Sequence, residues 1–174
     1  SADDVIFSST VTLTTNSSAI DTTNAGGTAT GASISFVAGI TDGASSFNLG
    51  LNAGTGGAIT GTSVNINNLT INNGASASFT GAVTVNDLIT AATATTISMT
   101  GTGNTFVANV DFLNTGLVTL GNGGDTFAFD GGLTFTGNAL SNIGAAITSS
   151  GDVIDFGSGA GFPGKSSADW GWIQ

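Results

Sequence analysis

The chain contains no histidine, cysteine, tyrosine, arginine or glutamate, and its single cation is Lys165. Each absence removes a class of chemistry. Without His and Cys there is no zinc site of the usual kind, no disulfide and no Ser-His or Cys-His nucleophile. Without a cationic surface there is neither a phosphate clamp nor a footprint for nucleic acid. Pro163 is the one proline, which excludes collagen-like and polyproline architectures. Paired aspartates are the one catalytic device left. Sugar-cleaving enzymes that use paired carboxylates usually add Arg, Lys, His or Tyr, so the chain reads as a non-enzyme.

Charge is scarce as well. Charged residues make up 7% of the chain, against 40% hydrophobic ones. Disordered chains show the opposite balance, so this one has enough apolar surface to bury a core. The eleven acidic residues are all aspartate, and the net charge of −10 disfavours nucleic acid and anionic membranes while permitting divalent cations. Asn, Thr or Gly interrupts every apolar stretch before it reaches transmembrane length, so no membrane insertion is expected. Few Lys or Arg residues means few trypsin-type cleavage sites. With the lack of cysteine, this suits a secreted, extracellular or cell-surface bacterial protein.

What is abundant is Gly, Thr, Asn, Ala, Val and Ile, a composition for strands and turns. Period-two alternation is explicit in Val11-Thr12-Leu13-Thr14, Val64-Asn65-Ile66-Asn67, Leu69-Thr70-Ile71-Asn72 and Val83-Thr84-Val85-Asn86. Gly/Asn clusters such as Asn24-Ala25-Gly26-Gly27 and Gly121-Asn122-Gly123-Gly124 punctuate these runs. One phrase also recurs: Phe, any residue, a small residue, any residue, an aliphatic, then Thr or Asp. It opens at Phe7, Phe36, Phe79, Phe106 and Phe129, at uneven intervals of which Phe36 to Phe79 is by far the longest. Ile59-Thr60-Gly61-Thr62-Ser63-Val64 sits near the middle of that interval and fits a repeat that has lost its Phe. The mean period is then about 24 residues, a length at which one unit cannot bury its own face and must stack on the next.

The expected fold is therefore all-β: a parallel β-solenoid, or β-helix, of about seven coils with Phe7, Phe36, Phe79, Phe106 and Phe129 as a stacked core. At about 4.8 Å per coil such a rod is near 35 Å long. A β-sandwich of pilin-like or jelly-roll type is the alternative, and it accommodates the irregular gaps more readily. Composition divides the chain into a repeat domain over 1–157, a Gly-rich linker over 158–164 and an aromatic tail over 165–174.

Asp4-Val5-Ile6-Phe7, Leu49-Gly50-Leu51-Asn52-Ala53-Gly54-Thr55-Gly56-Gly57 and Ala77-Ser78-Phe79-Thr80-Gly81-Ala82-Val83-Thr84 resemble the β-strand repeats of large bacterial haemagglutinin-like and autotransporter-like surface proteins. The likeness spans roughly residues 4–157. It implies a right-handed parallel β-helix, secretion, and a role in adhesion or surface structure.

Candidate sites are few. Gly121-Asn122-Gly123-Gly124-Asp125 through Asp130-Gly131-Gly132 is similar to one copy of a calcium-binding RTX nonapeptide, which makes Asp125 and Asp130 candidate calcium ligands. The plainer reading is a Gly-rich corner with solvated aspartates. No cofactor is required, and calcium is the one left open. Thr-x-Thr pairs at Thr10/Thr12/Thr14, Thr28/Thr30 and Thr134/Thr136 do not recur at each period, so ordinary strand propensity explains them better than a water-ordering face. Trp170, Trp172 and Ile173 either fold back on the chain or dock on a neighbouring copy. Lys165 among many Asn and Asp residues leaves an isopeptide bond open. Val5, Ile6 and Phe7 form an apolar first strand guarded only by Asp3 and Asp4. Low charge, high β-propensity and few gatekeepers favour edge-to-edge addition of like chains. The expected function is a secreted structural protein that self-associates into a filament, sheet or matrix. The alternative is an adhesin rod module that binds a glycan or host surface, stabilised or not by calcium.

Overall fold

Strands form where Val, Ile, Leu and Phe alternate with Ser, Thr and Asn. The computed structural model describes residues 3–137 and 141–157, and it stacks these strands into a parallel β-solenoid of about six coils. The first coil carries β1 (Val5–Phe7), β2 (Val11–Thr12) and β3 (Ser17–Asp21), and the second β4 (Ile34–Phe36), β5 (Ile40–Thr41) and β6 (Asn48–Asn52). In the third and fourth coils one long strand bends round a corner: β7 (Ala58–Gly61) with β8 (Val64–Asn73), then β9 (Ser76–Phe79) with β10 (Val83–Thr90). The fifth holds β11 (Thr96–Met99), β12 (Asn104–Phe106) and β13 (Val110–Asp111). The sixth holds β14 (Val118–Phe129) and β15 (Leu133–Thr134), and β16 (Ser141–Thr148) and β17 (Ile154–Asp155) follow on a further, partial coil. There is no helix among the described residues.

Every strand pairing among the described residues is parallel, which excludes the sandwich, whose hairpins and Greek keys pair antiparallel. The register defines the coils. Val5, Ile34, Ile59, Ala77, Ile97, Val118 and Ser141 occupy one column. The coils between them are unequal: the longest runs from Val5 to Ile34 and the shortest from Ile59 to Ala77. A second face stacks Val11, Ile40, Val64 and Val83, and a third stacks Leu49, Leu69 and Leu88. Alternate residues point inward and fill the lumen with aliphatic and aromatic side chains, most of them fully buried.

The five Phe residues of the recurring phrase divide between two columns instead of sharing one. Phe7 and Phe36 stack at the end of the first face with ring centroids 5.1 Å apart, and the register carries that column through Gly61 to Phe79. Met99 and Leu120 then continue it. Phe106 instead follows Val85 on the second face, and Phe129 stacks on it at 4.8 Å. The phrase describes a large residue, a tight corner and the next strand, and that description fits more than one corner of a coil. A third aromatic column, Phe112, Phe135 and Phe156, lies outside the phrase altogether, with centroid spacings of 4.9 and 5.7 Å.

Gly61 explains the long interval between Phe36 and Phe79. A Cβ placed there would lie 2.9 Å from Cδ1 of Phe79, so the ring of the next coil occupies the space its missing neighbour would need. Backbones approach most closely where the third face turns into the next coil. At Gly31 (φ 62°) a Cβ would overlap the Ala53 carbonyl oxygen, and at Gly54 (φ 69°) it would stand 2.6 Å from that of Ala29, so only glycine is accommodated. Where the column breaks at Asn104, the side chain completes the ladder. Its Oδ1 accepts the Val83 N–H at 2.9 Å, and its Nδ2 donates to the Gly101 and Thr126 carbonyls.

Truncation of a mid-rod ring opens a cavity that close-packed neighbours cannot refill. Phe79→Ala is expected to cost about 3–5 kcal/mol in urea denaturation, and Phe7→Ala, half-buried in the first coil, clearly less. Gly61→Ala should also destabilise, although it moves the sequence towards the repeated phrase. A neutral or stabilising Gly61→Ala would contradict the ring-filling account.

Candidate functional site

The two ends of the described rod differ from its middle. Mid-rod column residues such as Ile59, Phe79 and Phe106 are fully buried, whereas Val5, Phe7, Val11 and Ile20 in the first coil are half-buried. So are Ile143, Ile147, Ile154 and Phe156 at the other end. Among the described residues β1, β2 and β3 each pair on one side only, as do β16 and β17. The three strands β1–β3 therefore present unpaired N–H and C=O groups around an apolar centre. Ile6 points outward and is 64% exposed. Asp4 is already engaged, since its Oδ1 accepts the Ser33 N–H of the second coil at 2.8 Å. Of the residues read as self-association candidates, Val5, Ile6 and Phe7 lie on this first coil. Trp170, Trp172 and Ile173 lie outside the described residues, as do Lys165, the 158–164 linker and the rest of the 165–174 tail.

Asp125 and Asp130, the calcium candidates, flank the second-face segment of β14. Asp125 is buried at the bend where the register slips against β16, and its Oδ2 accepts the Asn122 N–H at 2.8 Å. It caps the turn made by Gly121, Gly123 and Gly124, all at positive φ. Asp130 lies five residues on, roughly 16 Å along extended chain, and accepts from the Ser150 hydroxyl at 3.1 Å. Among the described residues no three metal-ligating side chains of the His, Cys, Asp or Glu type come together.

The side faces carry ordered polar groups that the sequence search passes over. On the first face Ser35, Thr60, Ser78, Ser98 and Thr119 form one outward column, each in register with the next. Thr60 donates to Ser35 at 3.0 Å. Asn side chains link coils beside the third face, with Asn67 Nδ2 on Asn48 Oδ1 at 2.8 Å and Asn86 Nδ2 on Asn68 Oδ1 at 3.3 Å. The mixture of Ser and Thr in coils of unequal length hides this recurrence from a Thr-x-Thr pattern at fixed spacing.

Two carboxylates depart from ordinary behaviour. The Thr23 hydroxyl and N–H, at 2.5 and 2.6 Å, hold the exposed Asp21 carboxyl below the usual range, with a further contribution from the Asn52 amide. Burial pushes the Asp87 carboxyl up.

No family model, curated protein or solved structure matches the chain.

Two outcomes are expected here. Asp125→Ala should cost about 1 kcal/mol through the lost turn cap, with a melting temperature that calcium does not change. A calcium-dependent rise in the parent that the variant loses would instead assign a metal site. For Asp21, the lowered folded-state pKa means its contribution is present above the ordinary carboxylate pKa and vanishes as pH falls through the folded value. The melting difference between the parent and Asp21→Ala should therefore be seen at neutral pH and disappear in acid.

Proposed function

We propose that this chain is a secreted structural protein whose copies stack end to end into a filament or matrix, without catalysis. The observation that carries the reading is the pair of ends that, among the described residues, pair on one side only, with half-buried apolar columns at Val5, Phe7, Val11 and Ile20, and at Ile143, Ile147 and Ile154. A parallel coil laid on β1–β3 continues the same backbone ladder and covers the same columns. Apolar burial and backbone pairing then favour addition together. Because the contact is head-to-tail, it propagates instead of closing on itself. The composition supports the same reading, since almost no Lys guards the strands and no His, Cys, Tyr, Arg or Glu is present for chemistry on a substrate.

The edge itself supplies the test. The N–H groups of Val5, Val11 and Leu13 donate inward to the carbonyls of Ser33, Gly39 and Thr41. Strand alternation therefore points the N–H groups of Ile6 and Thr12 away from the second coil. Proline at those two positions removes outward donors only, a placement that edge strands tolerate. The parent should give polymers by size-exclusion chromatography and negative-stain microscopy. The Ile6→Pro/Thr12→Pro variant should remain near 16.8 kDa with an unchanged circular dichroism spectrum. A parent that stays monomeric at high concentration, or polymers that persist in the folded variant, would sink the reading.

A further inference from the structure

Away from both ends, the corner between the second and third faces holds a groove of about 300 Å³. One wall is the loop joining β5 to β6, and Asn65, Asn67, Thr84, Asn86 and Val107 from three successive coils line the rest, over the buried Ile66 and Val85. The loop is held in place by Asp42, which is only 6% exposed. Its Oδ1 accepts the Ala44 N–H at 2.9 Å, and its Oδ2 accepts the N–H groups of Phe47 at 2.9 Å and Asn67 at 3.1 Å. This clamp fixes the loop against the next coil and holds Ala44 (φ 65°) and Ser46 (φ 58°) in the left-handed region. Non-glycine residues persist there only where surrounding contacts over-determine them, a kind of strain that gathers at ligand clamps.

The polar groups of the groove are arranged and unspent. Asn65 and Thr84 are in register on adjacent coils, about 4.8 Å apart in strand spacing, and Asn67 and Asn86 lie two residues further along the same strands, about 6.8 Å away. The Asn65 carboxamide and the Thr84 hydroxyl make no hydrogen bond among the described residues. Asn67 and Asn86 use their Nδ2 groups on Asn48 and Asn68, and their Oδ1 atoms accept no hydrogen bond among the described residues. Val107, 55% exposed, adds an apolar surface beside them. No cation lines the groove, and the Asp42 carboxylate is committed to three N–H groups.

We propose that this groove binds one to two rings of an uncharged saccharide. Carboxamides and a hydroxyl offer donors and acceptors to neighbouring sugar hydroxyls, and Val107 meets a C–H face of the ring. An anionic ligand would find no counter-charge in the groove and a net charge of −10 around it. The groove is broadly open to solvent, and the clamped loop supplies its preformed wall. This site stands apart from end-to-end assembly, since none of its residues lies on the first coil or on the final, partial one.

The test uses the full chain with cellobiose, maltose, chitobiose and galactobiose as probes, followed by titration calorimetry and backbone-amide NMR shifts. At least one of these neutral disaccharides should bind, with shifts centred on residues 42–47, 65–67, 84–86 and 107. Asn65→Ala/Asn86→Ala, which removes solvent-facing groups and should leave the circular dichroism spectrum unchanged, should weaken binding about tenfold or more. Val107→Asp is the independent second variant and should also weaken it. Failure of all four disaccharides at millimolar concentration overturns the proposal. So does affinity unchanged in both folded variants.

Discussion

Parallel, in-register hydrogen bonding between successive coils is the constraint from which the rest of this structure follows. Once Val5 is tied to Ile34 and Ile34 to Ile59, every inward side chain must sit on its counterpart from the coil before. The lumen becomes a set of columns, and a column tolerates a change of residue only if its neighbours close the gap. Phe79 does this for Gly61. Polar residues enter the interior at breaks in the backbone ladder, and also within it, as Thr90 does in register with Ile71. Asn104 supplies three hydrogen bonds at such a break, and Asn114 donates to the Thr95 and Gly116 carbonyls at another.

This explains how much of the fold could be read from the letters. Recurrence of a phrase and alternation of apolar with polar residues both follow directly from stacking, so the solenoid class and its approximate number of coils were accessible. A rung without Phe at Ile59–Val64 was accessible for the same reason, although the place of Gly61 in the Phe36–Phe79 column comes only from the register. The corner at which Phe106 sits was not. A large residue followed by a tight bend and an aliphatic obeys the same local rules at each corner, and only the long-range pairing of Phe106 with Val85 tells them apart. The outward Ser/Thr column was hidden by coils of unequal length, since Val5 to Ile34 is a much longer excursion than Ile59 to Ala77. Asp42 gave a weak signal in Thr41-Asp42-Gly43, an ordinary turn sequence. Its importance depends on Asn67, a neighbour from the following coil.

The same constraint separates two kinds of surface. At the ends, in the proposed assembly, the backbone is the recognising element, and a parallel coil with apolar inward positions would complement it. On the flanks, the backbone is already paired and the side chains speak for themselves. Ser and Thr line one face, and carboxamides gather beside another. The proposed assembly and the proposed ligand recognition draw on different atoms and need not compete. In that reading, end-to-end growth leaves the lateral groove open to solvent.

The unequal coils carry a last consequence. The first coil takes the chain from Val5 to Ile34 and the third only from Ile59 to Ala77, yet both hold the same column register. The surplus sits in corner excursions such as Asn24, Ala25 and Gly26, exposed and in left-handed conformations, clear of the ladder. Chain length is thus decoupled from the repeat itself. The excursions are places where evolution, or an engineer grafting a foreign epitope, can write new sequence without editing the scaffold beneath.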